Sequence, residues 1–195
     1  MSDLSDKITA QDIAPTILPD AFLDSDAARA IVGFSMPRYA DIPDVGLYRE
    51  QVIHYIEQAL SPLDGCSEGP WISPSMVNNY VKSGLIASPA KKLYSREHIA
   101  RLLVICIFKQ VLTIQAISSL FRIQKMTYMT DIAYNYVAAE LESALKAVFS
   151  ASREPNRDSA SRVTRESLLV RNAVTAFAAK AQLVAYISFI GYDEE

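Results

Sequence analysis

The sequence predicts an all-α protein, and three observations support this fold class. Apolar residues recur at the three- and four-residue spacing of helices through most of the chain. Serine, threonine or aspartate stands directly ahead of several of these segments, where its side chain can cap a helix. The chain has only 6 glycines in 195 residues, which is few for a fold that depends on tight β turns. Because 50% of the residues are apolar, the chain can also bury a substantial core.

Three regions are expected to follow one another along the chain. Residues 1–36 form an acidic leader with one short helix near Asp24–Gly33, and they lack the apolar stretch of a secretory signal. Residues 37–125 form the central domain, and residues 126–195 form a C-terminal helical region. The first residues of the central domain, Pro37–Pro43, are expected to be extended or turned because prolines restrict the backbone there.

The central domain is expected to contain four helices. Asp44 is the expected cap of the first, which runs to about Leu60 and is followed by a loop rich in glycine and proline. Ser73 and Pro74 form a strong start for the second helix, and Gly84 supplies its left-handed stop. Two further helices are predicted over Arg96–Val111 and Ile114–Phe121, capped by Ser95 and Thr113.

Two longer helices are predicted in the C-terminal region, over Thr127–Phe149 and Arg162–Ile190, with a polar linker at 150–160. The stretch Ala173–Ile190 is the most apolar, but Lys180 in its middle argues against a membrane span. This stretch has apolar residues on two faces, which predicts a homodimer through the C-terminal helices. One face carries Ala176, Lys180 and Leu183, and the other carries Val174, Phe177, Ala181 and Val184.

The charge is distributed unevenly along the chain. The formal net charge is −3, but residues 1–70 carry −8, residues 71–125 carry +7 and residues 126–195 carry −2. The middle segment is therefore strongly basic within an acidic protein. A solvated basic face is one explanation of such a segment, and contact with a nucleic-acid backbone is the other.

Sequence signatures of an enzyme are absent. The chain has no glycine-rich phosphate loop, nucleophile elbow or Cys-x-x-Cys pair, so neither an enzyme nor a cofactor is expected. His54 and Glu57 lack a second pair that would complete a metal site, so no bound metal is expected. The two cysteines imply no disulfide framework, which suits a reducing cytoplasm. Aromatic residues at helical spacing usually form core, but four of them could line a pocket for a small-molecule effector: Trp71, Tyr128, Tyr134 and Tyr136.

The predicted helix after Ser73 has two distinct faces. Val77, Tyr80 and Val81 can face a core because they lie three and four residues apart. The opposite face carries a hydroxyl, two amides and an ammonium group but no carboxylate. Asparagine can bond adenine in a bidentate manner, and serine and lysine suit phosphates or guanine. An ordinary solvated face remains the alternative for these four residues: Ser75, Asn78, Asn79 and Lys82.

The stretch Ile72–Ile86 resembles the recognition helix of the MerR family of DNA-binding regulators. Ser73, Tyr80, Gly84 and Leu85 stand where that family places the cap, the core aromatic residue and the helix stop. The chain departs from the family pattern in three respects. It has Asn78 and Asn79 where MerR proteins usually carry arginine and an aromatic residue, and its wing over Ala87–Leu93 is short and lacks the family's Gly-Tyr-Arg hairpin. The loop between the helix that ends at Leu60 and the recognition helix is also longer than a usual helix-turn-helix turn.

Two downstream segments extend this resemblance. Tyr94–Ile99 resembles the family's Tyr-Ser-x-Glu-Asp-Leu helix start, and Thr113–Ile117 resembles its Ser-Leu-x-Glu-Ile segment. The wider run from Pro37 to Leu112 is similar to a bacterial family grouped only as a domain of unknown function (1836).

The MerR resemblance implies sequence-specific binding to double-stranded DNA and a role in transcription. It implies a MerR-like winged helix-turn-helix module with a short wing, followed by helices that pack on it. A helix-turn-helix scaffold that binds proteins or small ligands without DNA is the alternative. The implied contacts are to bases from Ser75, Asn78 and Asn79, and to phosphates from Lys82, Lys91, Lys92 and Arg96.

Overall fold

A computed structural model of the protein describes residues 18–149, 159 and 163–191. Within these residues the fold is all-α, as the sequence predicts, and β pairing is limited to two isolated antiparallel bridges. The predicted leader before residue 18 and most of the predicted linker lie outside the described residues. The helices are α1 (Asp20–Leu23), α2 (Asp26–Val32), α3 (Arg49–Leu60), α4 (Pro74–Lys82), α5 (Arg96–Phe108), α6 (Ile114–Thr127), α7 (Thr130–Val148) and α8 (Arg165–Phe189).

Several helix boundaries differ from the sequence expectation. Helix α3 begins after Tyr48 rather than at Asp44, whose carboxylate instead lies 3.7 Å from Nη2 of Arg96. The expected loop after Leu60 starts with a 3₁₀ helix over Ser61–Cys66. Helix α6 was expected to end at Phe121 but continues to Thr127, because no glycine or proline interrupts it.

Helix α5 forms the centre of the core and contacts α3, α7 and α8. It is buried almost all round, which is the expected behaviour of a helix that is apolar on every face. The thiol of Cys106 donates to the carbonyl of Trp71 over 3.2 Å, and burial raises the pKa of this thiol to about 12. Its buried side chains are Ile99, Ala100, Leu102, Leu103, Val104, Ile105, Cys106, Ile107 and Phe108.

The segment before α3 is fixed on the surface of α7. The guanidinium of Arg38 donates to both carboxylate oxygens of Glu142, over 2.8 and 2.7 Å, and the backbone N–H of Met36 donates to the same carboxylate. The backbone N–H of Tyr39 donates to the side chain of Asn135 over 2.8 Å. Bidentate pairing of this kind defines both position and orientation. Residues 36–39 are therefore held firmly against α7.

Helices α7 and α8 run parallel to each other. Tyr136 lies opposite Ser167, Glu140 lies opposite Arg171, and the amide of Gln182 donates to the carbonyl of Val148 over 2.6 Å. The residue numbers of these contacts rise together, which is the signature of a parallel pair.

One face of α8 is buried within the protein, and it includes Val174, Phe177 and Ala181. The other face exposes Ala176 and Leu183. The ammonium of Lys180, on this predicted face, lies 3.5 Å from the carboxylate of Glu68 in the same chain. The homodimer through α8 stays a prediction. None of the described helices is long and apolar enough to cross a membrane.

Histidine 98 caps the start of α5. Its Nδ1 accepts the backbone N–H of Ser95 over 3.1 Å, so this nitrogen carries no proton. Burial lowers the pKa of the imidazole below its usual range. Protonation would place a charge in a partly buried site and convert Nδ1 from an acceptor into a donor, which would break the cap.

We expect the protein to lose stability as the pH falls below the ordinary histidine pKa of about 6.5. The unfolded chain then binds a proton that His98 in the folded protein resists, and this proton uptake favours unfolding. Urea unfolding at several pH values would measure the loss. In His98→Gln, a neutral amide can accept the same N–H, so the part of the loss due to His98 should disappear. An unchanged acid profile in this variant would contradict the assignment.

Candidate nucleic-acid interface

Helix α4 is short, and both of its ends are closed by local hydrogen bonds. The hydroxyl of Ser73 accepts the N–H of Met76 over 3.3 Å, and Pro74 occupies the first turn. At the other end Gly84 adopts a φ of 73°, and the N–H of Leu85 donates to the carbonyl of Tyr80 over 2.9 Å. This is the Schellman arrangement. The predicted start and stop of α4 are confirmed.

The two faces of α4 are divided as the sequence predicts. Val77 and Tyr80 are buried, and Val81 is half-buried. The opposite face is exposed and carries no acidic group. Burial of one side anchors the helix, so the other side is presented to solvent on a fixed support. The exposed polar residues are Ser75, Asn78, Asn79 and Lys82.

Lys91 and Lys92 form the tip of a tight turn. Their φ angles are 50° and 65°, and the N–H of Leu93 donates to the carbonyl of Ala90 over 2.9 Å. Two consecutive residues with positive φ define a type I′ turn, which normally takes Asn-Gly. The left-handed region costs about 1–2 kcal/mol for each residue that has a Cβ. Two exposed lysines are thus held in a conformation that is unfavourable for lysine.

A β bridge joins this turn to the start of α3. The backbones of Leu47 and Tyr94 exchange two hydrogen bonds, of 3.0 and 2.8 Å. The close approach depends on Gly46, since a Cβ there would lie 2.9 Å from the Cβ of Leu93. Nη1 of Arg49, two residues after the bridge, donates to the side-chain oxygen of Asn78 over 3.2 Å. The turn, the start of α3 and the exposed face of α4 are therefore connected.

Arg49 was not identified from the sequence. Its guanidinium contacts Asn78 and also pairs with the exposed carboxylate of Glu50 at 2.7 Å. This pairing lowers the pKa of Glu50. No sequence signal links positions that are 29 residues apart, so this contact could be found only in the folded chain. Arg49 thus adds a basic side chain to the exposed face of α4.

The basic residues of the segment 71–125 divide into two groups. Lys82, Lys91 and Lys92 are exposed, with no ion pair to any residue that the structure describes. The guanidinium of Arg96 is engaged within the fold: it donates to the carbonyl of Ile42 over 2.8 Å and pairs with Asp44. It also lies 5.7 Å from the centre of the Tyr39 ring. Arg96 therefore anchors the segment ahead of α3 and does not present a free guanidinium to solvent as the three lysines present their ammonium groups.

Lys109 also has a structural position. Its ammonium donates to the carbonyls of Pro70 and Trp71, over 3.3 and 2.6 Å, and lies near the sulfur of Met76. Burial lowers the pKa of this ammonium. Lys109 thereby connects the end of α5 to the loop that leads into α4 and to Met76 in the first turn of α4.

The four aromatic residues considered for a pocket do not meet in one place. Tyr128, Tyr134 and Tyr136 line a cavity between α5, α6, α7 and α8. Trp71 does not line it. Its indole N–H donates to Asp64 over 2.8 Å, and its ring packs on Phe177 with a centroid distance of 6.4 Å. The expectation that Trp71 lines this pocket was therefore wrong, because the loop after α3 places Trp71 in another part of the core.

A family model described as a domain of unknown function (DUF1836) matches residues 37–141, more than half of the chain. The matched part includes α3, α4, the lysine turn, α5 and α6. This finding confirms the resemblance that the run from Pro37 to Leu112 indicated. No curated protein and no solved structure matches the chain.

Proposed function

We propose that this chain, which belongs to the DUF1836 family, binds double-stranded DNA in a sequence-specific manner and acts in transcriptional regulation. In this proposal α4 enters the major groove, with Ser75, Asn78 and Asn79 facing base edges. Lys82, Lys91 and Lys92 contact phosphates. The observation that carries the proposal is the exposed, acid-free face of α4 beside a turn that presents two lysines.

The order of elements supports a MerR-like winged helix-turn-helix. A bridge residue, Leu47, precedes α3, and α4 follows α3 and contacts it. The lysine turn comes next, and Tyr94 returns the chain to Leu47. In winged-helix proteins the second helix reads the groove while the turn of the wing lies beside the DNA backbone. In this proposal the lysine turn corresponds to the tip of a short wing.

The side-chain chemistry of α4 suits base recognition. The amide of Asn79 is exposed and, among the described residues, has no hydrogen-bond partner, so both of its polar atoms are free to meet an adenine. The oxygen of Asn78 is already bonded by Arg49. Asn78 can therefore contact a base through this oxygen only if Arg49 moves away, or the two side chains contact the groove together. This difference makes Asn79 the sharper residue to test.

The proposal includes a homodimer through α8, because dimers of helix-turn-helix proteins bind two half-sites related by symmetry. It is supported by the exposed apolar side chains of Leu168, Leu183 and Ile187, which are 46%, 58% and 37% exposed. Apolar side chains along one helix face favour contact with a second apolar surface. The small-ligand form of the alternative function is supported by the cavity between α5 and α8.

We expect Asn79→Ala to weaken binding to the preferred DNA site by about 1–3 kcal/mol while leaving binding to random DNA nearly unchanged. The preferred site would first be selected from a random duplex pool with the purified protein. Fluorescence anisotropy with that site and with a scrambled duplex then measures both affinities. The matched control is Gln115→Ala, which removes an exposed amide from α6.

The fold should survive this substitution because Asn79 is exposed and alanine is the better helix former. Circular dichroism verifies it. Equal affinity of Asn79→Ala and the wild-type protein for the selected site would refute base recognition by Asn79. Failure to enrich any sequence from the pool would refute the DNA-binding proposal as a whole and favour the alternative.

A further inference from the structure

The strongest feature outside α4 and the lysine turn is a cavity of about 490 Å³ between α5, α6, α7 and α8. Val104 and Phe108 of α5, Val137 of α7 and Val170 of α8 contribute to its apolar walls. The cavity is partly open to solvent, so a ligand can enter it from outside. Its volume lies within the range of small-molecule sites. We propose that this cavity binds an uncharged aromatic molecule that carries a hydrogen-bond donor.

The aromatic preference follows from the walls. Phe121, Tyr128, Tyr134 and Tyr136 line the cavity. Aromatic rings pack favourably against other rings in offset or edge-to-face arrangements. A ligand with an aromatic ring can therefore make such contacts with several walls.

The ion pairs at the cavity walls are the reason that an uncharged ligand is expected. Arg101 lines it, but its Nε donates to Glu97 over 3.1 Å. Glu166 also lines it, and its carboxylate pairs with Arg165 at 2.9 Å. Each charged group at the walls is thus already neutralised. A charged ligand would lose its water shell without gaining an unpaired opposite charge, which is costly.

The hydrogen bonds of the polar groups in the cavity wall are the reason that the ligand is expected to carry a hydrogen-bond donor. The hydroxyl of Thr127 donates to the carbonyl of Ile123 over 3.0 Å, and the amide of Gln124 donates to the carbonyl of Tyr128 over 2.7 Å. The Thr127 proton is thus engaged and one N–H of the Gln124 amide remains, whereas two oxygens, of the Thr127 hydroxyl and of the Gln124 amide, can still accept. A phenol or alcohol therefore suits the site better than a group that only accepts hydrogen bonds.

The full-length protein can be tested with three probes of the same ring system: 2-naphthol, naphthalene and naphthalene-2-sulfonate. We expect saturable binding of 2-naphthol, measured by its fluorescence anisotropy. Competition against 2-naphthol measures the other two probes. Naphthalene should bind more weakly because it has no donor. The sulfonate should bind about tenfold more weakly or worse, because its charge must be desolvated.

Two variants locate the binding site. Ala133→Phe and Val170→Trp place larger side chains into the cavity from α7 and α8, and each should weaken 2-naphthol binding about tenfold or more. Ala30→Phe, at an exposed position of α2 outside the cavity lining, is the matched control and should bind as the wild type does. Urea unfolding shows whether each variant folds, and either folded variant suffices for the comparison.

Three results would overturn the proposal. The first is no saturable binding of 2-naphthol to the wild-type protein. The second is unchanged binding in a folded cavity-filling variant, which would place the probe elsewhere. The third is sulfonate binding as tight as naphthol binding, which would contradict the inferred ligand charge. None of these measurements involves DNA, so they stand apart from the test of DNA binding.

Discussion

Replacing Glu140 with alanine is expected to lower the free energy of unfolding by about 3–5 kcal/mol. The Glu140 side chain is fully buried in α7, and Oε2 lies 3.2 Å from Nε of Arg171 in α8. Oε1 accepts both the backbone N–H and the hydroxyl of Ser159. Removing the carboxylate would leave a guanidinium that is only 21% exposed without this opposite charge. Urea unfolding followed by far-ultraviolet circular dichroism measures the loss.

A double variant separates charge burial from simple packing. In Glu140→Leu with Arg171→Met, both charges are replaced by apolar side chains of similar size. Replacement of a buried ion pair by apolar residues is often neutral or stabilising, so most of the lost stability should return. The result that would contradict this mechanism is a double variant as unstable as Glu140→Ala. In that case the contribution of Glu140 would come from its bonds to Ser159 and not from its charge.

The starts of α4 and α6 could be predicted because helix capping is local. Ser73 and Thr113 accept N–H groups three residues further along, and both were recognisable as caps from the sequence. The division of α4 into two faces is local in the same way, since it depends only on spacing along the helix. The exposed residues of the candidate interface followed from that division.

Contacts between distant segments could not be predicted. The pairing of Arg49 with Asn78, and of Arg96 with Asp44, depends on how α3 packs against α4 and α5. The same holds for the cavity, whose walls come from four helices. The parallel order of α7 and α8 was also hidden, because a polar linker predicts a connection but not its direction.

The lysine turn could be predicted from the sequence only in part. A wing was expected over Ala87–Leu93, but Lys91-Lys92 lacks the Asn-Gly pattern that announces a type I′ turn. The bridge between Leu47 and Tyr94 brings the chain into this geometry despite the local preference of lysine. A backbone conformation maintained against local preference is a reason to look for function at those residues.

Replacing Lys91 with asparagine and Lys92 with glycine is expected to raise stability and to weaken DNA binding. Asn-Gly is the preferred pair for a type I′ turn, so relief of two left-handed lysines should stabilise the fold. Glycine at position 92 removes a left-handed backbone cost of about 1–2 kcal/mol, and asparagine at position 91 removes only part of the same cost because it keeps a Cβ. The greater freedom of glycine in the unfolded chain offsets about 0.5–1 kcal/mol of this gain. The net gain should be about 1 kcal/mol, measured by urea unfolding.

Weaker DNA binding in a more stable protein would separate the function of the two lysines from their effect on folding. If both contact phosphates, the double variant should bind selected and random DNA more weakly to the same degree. Its log–log salt slope should be flatter by about two units per bound chain. Lys91→Arg with Lys92→Arg retains the charges and should keep the slope, and Lys146→Ala, an exposed lysine on α7, should leave affinity nearly unchanged. If the Asn-Gly variant binds DNA with the wild-type slope, the turn does not touch the backbone, and α4 would have to dock without its wing.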